Sequence, residues 1–296
     1  MADKTASLPD AINHHVKDGD TVFIGGFGHA VPFALGHEIL RQNLKDLTLC
    51  RAGTDILFDL MIAAGAVKKV IFGYLGNPGI GLGLAFRRAV KEGVIEYEDW
   101  TNFAMILRLH AARLGVPFLP SRILQLGDMP KVLPDLKFMD CPYTGEKLAC
   151  IPALRPDVAL IHAQAADRDG NIQFYGIDGD TIEGALASDK IIVSVEHFVE
   201  PEQIAKAPER TRIPAHRVTA VAEVPWGAHP SYVEGYYGRD DAHFYHYDKV
   251  GRDAETLNEY LQKWIYDCPT RDDYLETLGQ KKLSELKAQS SKREVS

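Results

Sequence analysis

Asp18-Gly19-Asp20-Thr21-Val22-Phe23-Ile24-Gly25-Gly26-Phe27-Gly28-His29-Ala30-Val31-Pro32 is the stretch from which the fold is read. Residues 21–24 are apolar and just long enough for one buried strand. Three glycines within the next four residues follow at once, and Pro32 then opens an amphipathic segment. Strand, glycine turn and helix start is the geometry in which open α/β sheets place ligands. Gly25, Gly26 and Gly28 let the backbone come close to a bound group and point amide hydrogens at it. The turn is neither a GxGxxG fingerprint nor a P-loop, because no Gly-Lys-Ser/Thr follows. A tight turn with a purely structural role is an equally open reading of these residues alone.

Outward from this stretch the pattern alternates. Short apolar runs at 47–50, 67–72, 94–97, 157–161, 191–195 and 218–221 are expected strands. Helical spacing recurs at 8–16, from Pro32 to about residue 43, at 56–64 before Gly65, near 82–90 and at 103–114. Strands separated by single helices imply βαβ crossovers, so the expected class is α/β, an open mainly parallel sheet with flanking helices. In the 103–114 helix the stripe Phe103, Ile106, Leu107, His110 and Leu114 is expected to face the core, with His110 a hydrogen-bonded core histidine rather than a catalyst. The prolines of Pro117-Phe118-Leu119-Pro120 force an extended segment that delivers Arg122. Residues 127–149 read as a loop-rich excursion with a hairpin, and 167–171 as a turn. Past residue 240 the strands stop. Leu257, Tyr260, Leu261 and Trp264, then Tyr274, Leu275 and Leu278, give helices, and 281–296 is expected to fray. The expected organisation is an α/β domain over 1–250 and a helical C-terminal extension over 251–296 packing on it.

Bulk properties narrow the function. The chain has 296 residues, 46% of them hydrophobic, and a net charge of −8. That charge, with no Lys/Arg cluster to offset it, argues against nucleic acid as a partner. No run approaches the roughly 18 apolar residues of a membrane span, and no apolar signal core stands at the N-terminus. Cys50, Cys141, Cys150 and Cys268 lie far apart without a CxxC pair, which argues against a zinc site and for free thiols in the cytoplasm. Glu96, Glu98 and Asp99 are paired carboxylates that could do acid–base work or favour a helix N-terminus, with Asp99 or Thr101 as cap. Arg122 could grip a carboxylate with its guanidinium fork or form a structural ion pair. Of eleven histidines, His229 in Trp226-Gly227-Ala228-His229-Pro230 is best placed for a site. No GxSxG elbow, no Cys with an evident His partner and no HExxH motif occurs. The chain is therefore either a binding protein or an enzyme whose nucleophile comes from another chain.

Three ordered segments resemble a known family. Asp18-Gly19 followed by the apolar run, Gly25-Gly26-Phe27-Gly28 and Pro32 is the first. Asp157-Val158-Ala159-Leu160-Ile161-His162-Ala163 with Ala166-Asp167 and Gly170-Asn171 is the second, and Pro225-Trp226-Gly227-Ala228-His229-Pro230-Ser231 the third. Together they resemble the A (α) subunit of the family I coenzyme A transferases, in the branch that contains glutaconate CoA-transferase, over residues 8–280. The resemblance implies the CoA-transferase fold and a heteromer, dimeric or tetrameric, with a B-type subunit. In that family a B-subunit glutamate attacks the acyl-CoA thioester and carries CoA as a glutamyl thioester to a second carboxylic acid. The B-type Ser-Glu-Asn-Gly run is missing here; Ser194-Val195-Glu196-His197 departs from it. The resemblance thus implies no catalytic residue in this chain, no metal, no permanent cofactor, and a CoA thioester as substrate. Gly25, Gly26, Phe27 and Gly28 would face the acyl carbonyl with their amides. Tyr74 and Gly76 in the 73–79 loop, Asn102 and Arg122 would line the acyl pocket, Arg122 toward the distal carboxylate of a dicarboxylic acid. A ring-cleaving hydrolase branch carries an A-subunit glutamate at a position that falls on Asn102, with Glu98 nearby. A decarboxylating branch also exists, and these two are the alternative functions.

Overall fold

The computed structural model describes residues 3–77, 79–125, 127–133 and 135–293, with side chains as far as 290. Among them, seven parallel strands form the main sheet in the spatial order Ala220–Glu223, Lys190–Phe198, Val158–Ala166, Thr21–Ile24, Leu47–Gly53, Val67–Tyr74 and Glu96–Asp99. Ile172–Gln173 and Thr211–Ile213 extend it by antiparallel pairing. The first strand of the chain is central. Val22 pairs with Leu49 on one side and Val158 on the other, so the strand order reverses there and a crevice opens at its C-terminal end.

Successive side chains of a strand point to opposite faces, and here both faces are buried. Val22, Ile24, Leu49, Val70, Phe72 and Leu160 belong to one core. Helices Leu8–His15, Phe33–Arg41 and Ile56–Ala63 cover it, together with Leu257, Tyr260, Trp264 and Tyr274 of the C-terminal helices. Phe23, Cys50, Ile71, Ala159 and Ile161 face the other core, covered by helices Asn102–Leu114 and Thr181–Ala187. This double burial explains why the strands read as continuous apolar runs rather than alternations.

Several expectations are corrected. The strand expected at 94–97 runs Glu96–Asp99. Helix Asn102–Leu114 buries Ala104, Met105, Arg108, Leu109 and Ala111, while Phe103 and Leu114 are 55% and 56% exposed. Small residues allow that face to lie close to the sheet, and the charge of Arg108 is met there by Glu98 at 3.0 Å, with its guanidinium stacked over Trp100. His110 is half-exposed and hydrogen-bonded to Glu183 at 3.0 Å, so it is not a core residue. The tail does not fray where expected. Gln280–Arg293 is a helix whose Leu283 and Leu286 are buried, and the amide of Gly238 donates to Leu286 O at 2.9 Å. The excursion after Arg122 contains the hairpin Lys137–Asp140 and Lys147–Pro152, and the latter strand also pairs with Phe118–Ser121. Leu126 and Pro134 of that excursion, Pro78 of the 73–79 loop, and the end of the tail at 294–296 lie outside the described residues. No helix among the described residues is long and apolar enough to cross a membrane.

Candidate active site

The cleft is built where three adjacent parallel strands end. Beyond Ile24 the chain folds into the glycine loop, with Gly26 at φ +86° and Gly28 at φ +65°. A Cβ on Gly26 would stand 2.6 Å from the backbone of Val31, so the loop closes on itself there. A Cβ on Gly28 would meet nothing within 4 Å. Three of the four loop amides are spent inside the fold. Gly25 N–H donates to Leu160 O at 2.9 Å and Phe27 N–H to His29 O at 3.0 Å, and Gly26 N–H donates to Thr181 Oγ1 at 2.8 Å. This corrects the expectation that the amides of Gly25, Gly26 and Phe27 face a ligand. Gly28 N–H alone of the four has no partner among the described residues.

A cavity of about 350 Å³ opens beside Gly28, lined by Phe27, Gly28, Gly53, Thr54, Tyr74, Gly79 and Asn102. The Thr54 amide donates to Tyr74 O at 2.9 Å, which ties the two neighbouring strand ends together. Gly73 is required because a Cβ there would stand 2.6 Å from the amide nitrogen of Asn102, the first residue of its helix, whose cap Thr101 accepts from Ala104 N–H. Tyr74 folds its hydroxyl over Gly76, which keeps Gly76 behind the wall rather than on it. Phe27 is 48% exposed and lies in a slot between Gly53 and Gly179, whose Cβ positions would be 3.1 and 2.8 Å from it. Fully buried Arg51 supports the ring with its guanidinium carbon 5.8 Å from the ring centre. A buried guanidinium needs counter-charge, and Asp180 at 3.3 Å and Asp55 at 3.9 Å supply it. Asp180 also accepts from Ala52 N–H at 2.7 Å. Gly53, Thr54, Asp180 and Thr181 were missed by sequence reasoning. Only the end of the second strand, three residues beyond the expected run, could have pointed to Thr54.

The structure brings Phe27, Gly28, Tyr74 and Asn102 together but leaves Arg122 outside. Its side chain is 75% exposed and ion-paired with Glu146 at 2.6 Å, so the structural ion pair is the reading that holds. His229 is also displaced from the cleft. It is fully buried between Tyr274, whose hydroxyl lies 2.7 Å from Nδ1, and Asp240, 3.3 Å from Nε2. Burial brings its ring down to about 4. His229, Asp240 and His243 are the described residues whose types and spacing could hold a metal ion. Lys282 already places its ammonium 3.5 Å from Asp240, so a cation is in place there.

Glu98 lies against another cavity, with Trp100 and Arg108. Partial burial pushes its carboxyl up, but hydrogen bonds from Lys69 and Trp100 and the charge of Arg108 outweigh this and bring it down to about 2. A group held ionised in this way is an ion-pair partner, not a proton donor. Ser194, His162 and Glu196 form a hydrogen-bonded row with both contacts at 2.8 Å. All three are buried, and the other oxygen of Glu196 accepts from Trp226 N–H, so the row is structural.

A reversing parallel sheet with its cleft at the end of a glycine loop, and no carboxylate, thiol or imidazole among the described residues of the cleft wall, defines a class rather than a single enzyme. The chain belongs to the coenzyme A transferase family, whose model matches residues 5–224. It is 41% identical to the A subunit of 3-oxoadipate CoA-transferase from Pseudomonas knackmussii, over 88% of this chain and 92% of that one. It is 35% identical to the A subunit of glutaconate CoA-transferase from Acidaminococcus fermentans, over 96% and 94%. The crystal structure of that glutaconate enzyme superposes with a TM-score of 0.90, at 34% identity over 96% of this chain and 95% of that one. A cholesterol ring-cleaving hydrolase IpdA subunit of Rhodococcus jostii is 31% identical over 92% and 94%.

Proposed function

We propose that this chain is the A subunit of a heteromeric CoA-transferase that moves CoA from an acyl-CoA to a free carboxylic acid. The observation that carries the reading is the composition of the cleft wall. Two aromatic rings, three glycines, Thr54 and Asn102 line it, with no carboxylate, thiol or imidazole. The rings of Phe27 and Tyr74 on this wall are exposed, a rim suited to a partner subunit. The partner supplies the nucleophile. Its glutamate carboxylate adds to the thioester carbonyl and expels CoA thiolate, leaving a mixed anhydride. The thiolate then attacks the glutamyl carbonyl, releasing the first acid and leaving a glutamyl-CoA thioester, and the acceptor acid reverses these steps. Gly28 N–H is this chain's donor to the developing oxyanion, and the ring of Phe27 packs beside the acyl group.

The relatives named for 3-oxoadipate and glutaconate make dicarboxylic acids the first acceptors to assay. None of the residues on this chain's wall is cationic, so recognition of a distal carboxylate belongs to the partner rather than to Arg122. Asn102, the position on which the resemblance put the glutamate of the hydrolase branch, lies on this wall, and Glu98 lies on a different cavity, which supports transfer over hydrolysis. Four free thiols fit a reducing compartment, and we place the enzyme in the cytoplasm.

The test is co-expression with a B-type subunit of the same organism. CoA exchange from acetyl-CoA or succinyl-CoA to acceptor acids is measured together with trapping of a glutamyl-CoA adduct on the partner. Exchange with an adduct is expected. Thioester hydrolysis without an acceptor, and without an adduct, would overturn the reading.

A further inference from the structure

The glycine loop does not stand alone. Its second half lies on the loop 225–240, and every contact is made by a named atom. Ala30 N–H donates to Tyr232 O at 2.8 Å and Ala34 N–H to Gly227 O at 2.9 Å. His29 is fully buried. Its Nδ1 donates to Ile177 O at 2.9 Å, and its Nε2 accepts from Glu234 N–H at 3.2 Å. That pattern requires a neutral ring, and burial brings its pKa down to about 4. Ser231, also fully buried, is placed between the two ends of the turn. Its Oγ accepts from Val31 N–H at 3.2 Å. Its single proton faces the carbonyl oxygens of Gly28 and Tyr232, each 3.3 Å away.

The bed itself is held from two sides. From the sheet, Glu196 accepts from Trp226 N–H at 2.8 Å and from the Tyr237 hydroxyl at 2.7 Å. From the C-terminal helices, Arg271 donates to Trp226 O, Tyr274 holds His229, and Lys282 reaches Asp240. The loop 225–240 is thus held by contacts that do not involve the glycine turn.

We propose that Ser231 is a positioning residue for the reaction, setting the direction of the Gly28 amide through the Gly28 carbonyl and the Val31 amide. Gly28 has a positive φ and nothing within 4 Å of a Cβ position, so beyond the Phe27 N–H to His29 O bond that spans it, its carbonyl is held by the Ser231 hydroxyl. Removing the hydroxyl leaves the buried Val31 N–H without an acceptor and frees the turn to rotate. The inference rests on the reading of Gly28 as the oxyanion donor. The two fail differently: an active complex in which Gly28→Ala keeps wild-type kcat would sink that reading, whereas one in which Gly28→Ala is impaired and Ser231 is indifferent would sink only this one.

The experiment uses the assembled A–B complex. Ser231→Ala is expected to lower kcat for CoA exchange at least tenfold, with KM for thioester and acceptor within twofold of wild type. Hydrogen exchange should accelerate at the amides of 26–34 while those of strand Leu47–Gly53 keep their protection. Ser231→Cys keeps the site filled with a slightly larger and weaker hydrogen-bonding group, so it is expected to assemble where the alanine variant does not, and its kcat should fall at least threefold. A kcat within twofold of wild type in whichever variant assembles, or a loss of protection shared equally by the sheet, would overturn the proposal.

Discussion

Gly26 and Gly28 lie two residues apart in one turn and fail for different reasons when substituted. A side chain on Gly26 would collide with the backbone of Val31 at 2.6 Å, so Gly26→Val should yield little assembled complex, a loss read by size-exclusion chromatography rather than by kinetics. A methyl on Gly28 collides with nothing but holds Ala in the left-handed region, at about 1–2 kcal/mol, and places a carbon beside the open amide. Gly28→Ala should therefore assemble and melt within a few degrees of wild type, with kcat at least tenfold lower. Arg122→Ala removes an exposed pair with Glu146, which contributes about 0–1 kcal/mol. KM for dicarboxylic acceptors should stay within twofold of wild type; a large selective rise would return Arg122 to the pocket.

At the scale of elements, helix Asn102–Leu114 shows how spacing misleads when a charged residue is buried. Its apolar side chains mark one stripe, but the face against the sheet carries Arg108, and Glu98 makes that burial possible. Arg108→Ala should destabilise by about 1–3 kcal/mol, read as a lower urea midpoint with catalysis per folded complex unchanged. The last helix shows the reverse error. A polar stretch looked frayed, yet Leu283 and Leu286 seat it. Leu286→Ala should cost about 2–5 kcal/mol, measured in the same titration. Alternation of strand and helix, the first strand and the glycine turn were all legible, because each is written in adjacent residues; that this strand is central came from its pairing on both sides. Helix Thr181–Ala187 was not, since its seven residues are held by contact with helix Asn102–Leu114 and the sheet beneath rather than by their own periodicity.

The molecule as a whole carries buried neutral histidines. Burial brings both His29 and His229 from an ordinary 6.5 down to about 4. Between those values the unfolded chain binds the proton and the folded chain does not, so stability rises with pH through the window and falls on acidification. The slope is up to about 1.4 kcal/mol per pH unit for each histidine. Glu98 acts in the same sense and lower down, since its stabilising contribution is present above the ordinary carboxylate range and lost as pH falls toward 2. The melting temperature should be level above pH 7 and drop from about 6.5 to 4, and His29→Gln should flatten that drop. An unchanged slope would show that His29 is not neutral in the fold.

The sequence by itself determined the parallel α/β sheet, the glycine turn after its first strand and the family, all of them features of local pattern and motif order. Only the tertiary structure decided which groups on that cleft remain free to act. The amide of Gly26 is satisfied by a hydroxyl 155 residues away, and Arg122 and His229 find partners that no spacing announces. Whether a donor is spent or available depends on what the fold brings against it, and that is settled by distant residues meeting in space.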